Sequence, residues 1–408
     1  MWSRRRFVKT LSAGVFSAFD AISAPERGRV KIADIRTMVV QGPRSYLFVS
    51  VVTDSGVAGI GEAYGSPAVG VREAIQEIRS NLIGKDPLDI ETLYVGLGAR
   101  TDGSAHMLLR AVSGVEIALW DLAGKLLGVP VSTLLGGRFR DRVRMYHDEG
   151  PADPMDRSSC RDWADRMKSS PAGWTAFKFE PVRAKPSIDK VRDPSNRLLT
   201  SRELREIRKG FENCRDAIGS DYDVIVHCHW EYDLRTSIQL AEAVEPVKPL
   251  FLEDPMPPDF SQGWVDLCRA SKVPICTGEN LARRHGFKDF IVQHGCDIAQ
   301  LDIRNTGGLL ESKKIADLAD LYYIPMCAHN TGSILSTMAT VQWAASVRDF
   351  LACETVVGRG NWMDDLIVHD GPIVKNGHID VPAKPGLGVE LNREVVKSNL
   401  ARGEKYWD

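Results

Sequence analysis

Residues 224–233 read Val-Ile-Val-His-Cys-His-Trp-Glu-Tyr-Asp, VIVHCHWEYD. The β-branched run Val224-Ile225-Val226 favours a buried strand, and it stops abruptly at His227-Cys228-His229. Alternate strand residues share a face, so His227 and His229 point to one side. Taken alone, the pair suggests a metal site. Equally, one imidazole packs in a core and the other lies in a loop. What recurs downstream separates the two.

Outward from this run the same texture repeats. Short apolar segments occur at Val143–His147, Ala176–Phe179, Val224–Cys228, Leu250–Glu253, Val273–Thr277, Ile298–Ile303, Tyr323–Ala328 and Phe350–Glu354. Connections long enough for helices separate them, the pattern of parallel βαβ units. Eight such units predict a closed β/α barrel rather than an open doubly wound sheet. No glycine-rich dinucleotide fingerprint follows any of these strands.

Polar residues end the runs at unit spacing. His227 to Glu253 is 26 residues, Glu253 to Glu279 is 26, Glu279 to Asp302 is 23, Asp302 to His329 is 27 and His329 to Glu354 is 25. All six should converge at the C-terminal mouth of the barrel, where barrel enzymes keep their active sites. So many acidic and imidazole groups repel or compete unless a cation or shared protons balance them. Glu253, Glu279 and residue 227 lie on successive strands and could hold one hard cation; carboxylate-rich sites suit magnesium. Asp302 and His329 fall on adjacent strands. An Asp accepting from a His fixes its tautomer and raises its basicity, as a general base requires, although such a pair also serves structure alone. Lys178, between Phe177 and Phe179, either faces anionic groups inside the barrel or points to the outer helices.

The chain of 408 residues allows two or three domains, or one barrel with an appendage. Its net charge of −2 gives no electrostatic footprint for nucleic acid. No apolar run approaches the roughly 18 residues of a membrane span. The eight cysteines contain no Cys-x-x-Cys and read mainly as small buried residues; disulfides stay open if the protein is exported. Export is a live question, because Ser3-Arg4-Arg5-Arg6-Phe7-Val8-Lys9 precedes a mildly apolar stretch and resembles a twin-arginine signal. Residues 1–25 are therefore set apart as a signal segment, with a periplasmic location expected and a cytoplasmic one as the alternative.

Residues 26–141 predict an α+β domain. Val30–Val40, Tyr46–Thr53 and Val57–Ala63 form an antiparallel meander turning at Asp54-Ser55-Gly56, followed by helices over Val71–Leu82 and His106–Leu127. The barrel occupies 142–355. The turn-rich segment 356–408 is expected to return to the first domain.

At this point the residues resemble the enolase superfamily in its mandelate racemase branch. The resemblance rests on Ala111-Val112-Ser113-Gly114-Val115-Glu116-Ile117-Ala118-Leu119-Trp120-Asp121 with Gly136-Gly137, on Phe251-Leu252-Glu253-Asp254-Pro255 and on Thr277-Gly278-Glu279-Asn280. It continues in Asp302 before Gly307-Gly308, in Ala328-His329-Asn330 and in Pro385-Gly386-Leu387-Gly388. It implies a modified (β/α)8 TIM-type barrel under an α+β capping domain, whose loops, here Gly42–Tyr46 and Tyr64–Val69, close over substrate. It also implies the chemistry shared across that superfamily, proton abstraction next to a carboxylate with an enediolate stabilised by magnesium. By position, Glu253 and Glu279 match metal ligands, Asp302 and His329 the base dyad, and Glu354 an acid that hydrogen-bonds the substrate carboxylate. Lys178-Phe179-Glu180-Pro181 with His227-Cys228-His229 is similar to the galactonate-, gluconate- and mannonate-type sugar-acid dehydratases, in which His229 matches the acid that protonates the departing 3-hydroxyl.

Two departures stand out. The racemases' Lys-x-Lys is absent, since Glu180 takes the second position. Residue 227, an Asp ligand in the family, is His here, which removes a negative charge from the metal site. The expectation is a Mg2+-dependent (or Mn2+-dependent) dehydratase acting on a small sugar acid, in a homo-oligomer. The alternatives are an epimerase using Lys178 and His329 on opposite faces, and a sugar-acid-binding homologue impaired by His227.

Overall fold

The computed structural model describes residues 28–65, 70–97, 106–180, 197–358 and 361–407. The signal-like segment, residues 66–69 of the second capping loop and Pro181 lie outside them. The chain opens with an antiparallel meander: β1 (Ile32–Gln41), β2 (Ser45–Thr53) and β3 (Ala58–Ala63). The hairpin between β2 and β3 closes with Thr53 N donating to Val57 O at 3.0 Å, and Gly56 supplies the positive φ of the turn. The helix His106–Leu127 lies against β3 so closely that a Cβ at Gly59 would fall 2.1 Å from Ala118 O. Only glycine permits that approach.

The eight apolar runs become eight parallel strands: β4 (Arg142–Asp148), β5 (Ala176–Phe179), β6 (Asp223–His227), β7 (Leu252–Glu253), β8 (Ile275–Thr277), β9 (Ile298–Leu301), β10 (Met326–Ala328) and β11 (Phe350–Thr355). Each pairs with its sequence neighbour, and β11 pairs in parallel with β4, so the sheet closes as the spacing predicted. One strand had no signal among the eight: β12 (His378–Asp380) adds antiparallel to the start of β4, outside the parallel ring.

The C-terminal segment also meets the meander. Ala401 N donates to Val39 O, Gln41 N donates to Asn399 O, and Arg72 makes two 2.7 Å bonds to the Glu404 carboxylate. Arg44, Ser45 and Tyr46 of the first expected capping loop line a cleft with Glu62, Tyr64, Arg304 and Thr331. That places the loop beside the ends of β9 and β10. Among the described residues no helix is long and apolar enough to cross a membrane.

Candidate active site

A layer of Tyr146, Ala176, Ile225, Phe251, Cys276, Ile298, Cys327 and Ala352 fills the barrel interior. Alternation along a strand decides what lies above it. Two residues onward come Lys178, His227, Glu253, His329 and Glu354, all buried. The apolar layer thus forms a floor, and the next inward position is ionisable on six of the eight strands, half-buried Asp148 of β4 being the sixth. Asp302 stands one inward step further along β9. Glu279 is out of step, because Gly278 has φ +135°, and a Cβ there would fall 2.2 Å from Gln300 O. The irregular backbone delivers Glu279 into the mouth.

On one side stands His329. Its Nδ1–H donates to Asp302 Oδ2 at 3.0 Å, which leaves Nε2 facing Glu279 Oε2 at 3.4 Å and Glu354 Oε2 at 3.7 Å. Asp302 caps the short helix Ile303–Thr306 and is gripped by Arg304, whose Nη2 lies 2.6 Å from Oδ2 and Nε 3.0 Å from Oδ1. Arg304 Nη1 reaches Glu62 Oε1 of β3 at 3.1 Å, and Glu62 in turn accepts from the Ser333 hydroxyl at 2.5 Å. All four charged or imidazole side chains are buried. Burial works against the charge on His329, but Glu279, Glu354 and Asp302 outweigh it and raise the imidazole to about 10. Burial likewise opposes the Asp302 carboxylate, and Arg304 with His329 holds it well below the usual range.

On the other side, Lys178 points inward. Its Nζ lies 3.0 Å from Glu253 Oε1 and 3.2 Å from Glu354 Oε1, with only 1% of the side chain exposed. Desolvation penalises the ammonium, but these carboxylates hold it well above its ordinary value. The carboxylates of Glu253, Asp254 and Glu279 bring oxygens within 4.8 Å of one another. Glu253 Oε2, Asp254 Oδ2 and Glu279 Oε2 are buried without a hydrogen-bond partner. Burial, with Glu279 and Glu253 nearby, pushes Asp254 up to about 8. Three orphaned, converging, oxygen-only donors fit a hard divalent cation, which would relieve their mutual repulsion.

His227 and His229 keep to the edge of this cluster. His227 Nδ1 sits 3.0 Å from Glu253 Oε1, without the alignment of a hydrogen bond, and its Nε2 sits 2.9 Å from His229 Nε2. His229 Nδ1 is 3.7 Å from Glu180 Oε1, and 42% of its side chain is exposed. Burial and Lys178 oppose a charge on His227, yet Glu253 carries it above the ordinary imidazole value. Burial and His227 push His229 down. The two shifts run in opposite directions, so the pair can share one proton through the Nε2 contact.

The structure brings together all eight residues singled out from the sequence. It adds Asp254, Arg304 and Glu62, which the sequence did not single out as site residues. Asp254 follows Glu253, so strand alternation sends it away from the mouth; a φ of +46° turns it back. Arg304 has a weak signal, two residues after a helix-capping Asp. Glu62 has none, since its partner lies 242 residues away.

Comparisons with known proteins agree with this architecture. Residues 26–136 match the mandelate racemase/muconate lactonizing enzyme N-terminal domain, and residues 160–395 match the enolase C-terminal domain-like family. The chain is 36% identical over 391 residues to a D-xylonate dehydratase of Haloferax volcanii, covering 94% of this chain and 92% of that protein. It is 31% identical over 366 residues to a D-galactonate dehydratase of Ralstonia nicotianae, covering 87% and 91%. A mandelate racemase/muconate lactonizing enzyme-like protein from Rubrobacter xylanophilus superposes with a TM-score of 0.84 at 32% identity, over 93% of this chain and 99% of that one. The chain is a member of the mandelate racemase/muconate lactonizing enzyme family of the enolase superfamily.

Proposed function

We propose that this protein is a metal-dependent dehydratase of a sugar acid, converting it to a 2-keto-3-deoxy acid. The observation that carries the proposal is the buried His329–Asp302 pair near one partnerless oxygen from each of Glu253, Asp254 and Glu279 in the same barrel mouth. The relatives named as sugar-acid dehydratases support the substrate class.

A divalent cation held by Glu253 and Glu279, with Asp254 and His227 beside them, would supply positive charge to the substrate carboxylate and offset the acidic groups that keep His329 protonated. His329, held in one tautomer by Asp302, takes the C2 proton at Nε2. The electron pair left at C2 spreads onto the carboxylate as an enediolate, then expels the 3-hydroxyl. His229, the more exposed imidazole, donates the proton that leaves with that hydroxyl as water. His227 stands 2.9 Å behind it and can restore that proton. Glu354, buried and accepting from Asn330 N at 3.3 Å, faces the carboxylate end of the substrate. Lys178 is fixed as a cation between two carboxylates, so it anchors charge instead of acting as a second base. That disfavours epimerisation.

Incubating the purified protein with a panel of aldonic acids and Mg2+ or Mn2+ should yield a product that traps with semicarbazide. Failure across the panel, with metal demonstrably bound, would defeat the proposal. Ligand-induced thermal stabilisation without product would instead indicate a binding protein. The variant His227→Asp should tighten Mg2+ binding by about tenfold or more, because ligand charge sets affinity for hard cations. Titration calorimetry checks this, and unchanged affinity would place residue 227 outside the metal's reach.

A further inference from the structure

Cys160 lies on the helix Arg157–Lys168 that follows β4, and Cys214 on the helix Ser201–Ile218 that follows β5. The two helices pack side by side. Both thiols are fully buried, and their sulfurs are 3.9 Å apart across 54 residues of sequence. The thiols of Cys327 and Cys353 donate to the carbonyls of Ala352 (3.0 Å) and Glu354 (3.1 Å), and Cys160 also has the Pro154 carbonyl at 3.4 Å. The dehydratase proposal gives the pair no role.

We propose that Cys160 and Cys214 form an oxidisable dithiol that closes to a disulfide, with hydrogen peroxide as the oxidant. The sulfurs already sit in van der Waals contact, so the bond requires closing a gap of about 2 Å. The roles of the two thiols differ. Either sulfur can donate in this contact, but Cys160 Sγ also has the Pro154 carbonyl to donate to, which leaves Cys214 as the donor to Cys160; the contact lowers the Cys160 thiol and raises Cys214. Cys160 is therefore the thiolate that attacks peroxide, giving a sulfenic acid and water. Cys214 sulfur then attacks the sulfenic sulfur, the S–S bond forms, and the sulfenic oxygen leaves as a second water. Two thiols lose two electrons, and one peroxide gains them. Hydrogen peroxide is small and neutral, which suits a buried pair.

The cross-link encloses β5, the strand that carries Lys178, in a 54-residue loop. A native loop of that size, cross-linked without strain, gains stability chiefly by restricting the unfolded chain. Reduced protein treated with peroxide should lose the mass of two hydrogen atoms, and a non-reducing peptide map should join the peptides that contain Cys160 and Cys214. The melting temperature should rise by a few degrees and fall back with a dithiol reductant. Cys160→Ser and Cys214→Ser should each abolish the mass loss and the shift. A second arm refolds the reduced chain in oxidised glutathione, which exposes both thiols to exchange. Sulfinic acid at either residue, a different cross-link, or unchanged mass in both arms would overturn the proposal.

Discussion

Replacing His329 with Asn is expected to lower dehydration of any active sugar acid by about two to four orders of magnitude, the usual worth of a positioned general base. The fold should survive, because Asp302 keeps its three bonds to Arg304 and the neighbouring Asn330 keeps its own partner, Thr337 Oγ1, at 2.8 Å. The loss should fall on proton removal. Solvent deuterium should therefore stop entering C2 while metal affinity and the melting temperature change little. Retained exchange at C2 would assign the base to another group, with Lys178 the next nearest on the opposite side.

Arg304→Met is expected to cost about 3–5 kcal/mol of stability, because it removes the guanidinium paired with two buried carboxylates and leaves them His329 and Ser333. Asp302 and Glu62 are each 1% exposed, and Arg304 is the cation that joins them. Denaturant unfolding measures the loss. Adding Glu62→Gln should return part of it, since one of the stranded charges is then gone. Turnover should also fall, because Asp302 would rise toward its neutral form and cease to orient His329. A variant as stable as the wild type would mean that water replaces the guanidinium without cost.

The strands and the mouth were legible because both depend on short-range rules. Eight apolar runs at regular separation specify a closed sheet, and the period of two puts Lys178 on the same face as Ala176, which settles the direction that the sequence left open. Glu253, Glu279 and His329 were visible as polar ends of apolar runs. The relay through Arg304 to Glu62 was not, because it joins β3 to the short helix after β9, and no local pattern pairs them. Asp254 was hidden for another reason: its entry to the cluster depends on a left-handed backbone that alternation does not foresee. The Cys160–Cys214 contact depends on how two outer helices pack, which their separate amphipathic patterns do not fix.

The strap formed by Asn399, Ala401 and Glu404 across β1 and Arg72 has a consequence for synthesis. Val39 donates to a carboxylate that emerges 365 residues later. During synthesis, therefore, the meander waits with the β1 edge uncovered while every barrel strand is made, and the clasp follows the last of those strands. A contact of such high sequence separation is slow to form and exposes a strand edge in the interval. Nascent chains of this protein should consequently depend on whatever shields that edge during translation more than the compactness of the finished barrel would suggest.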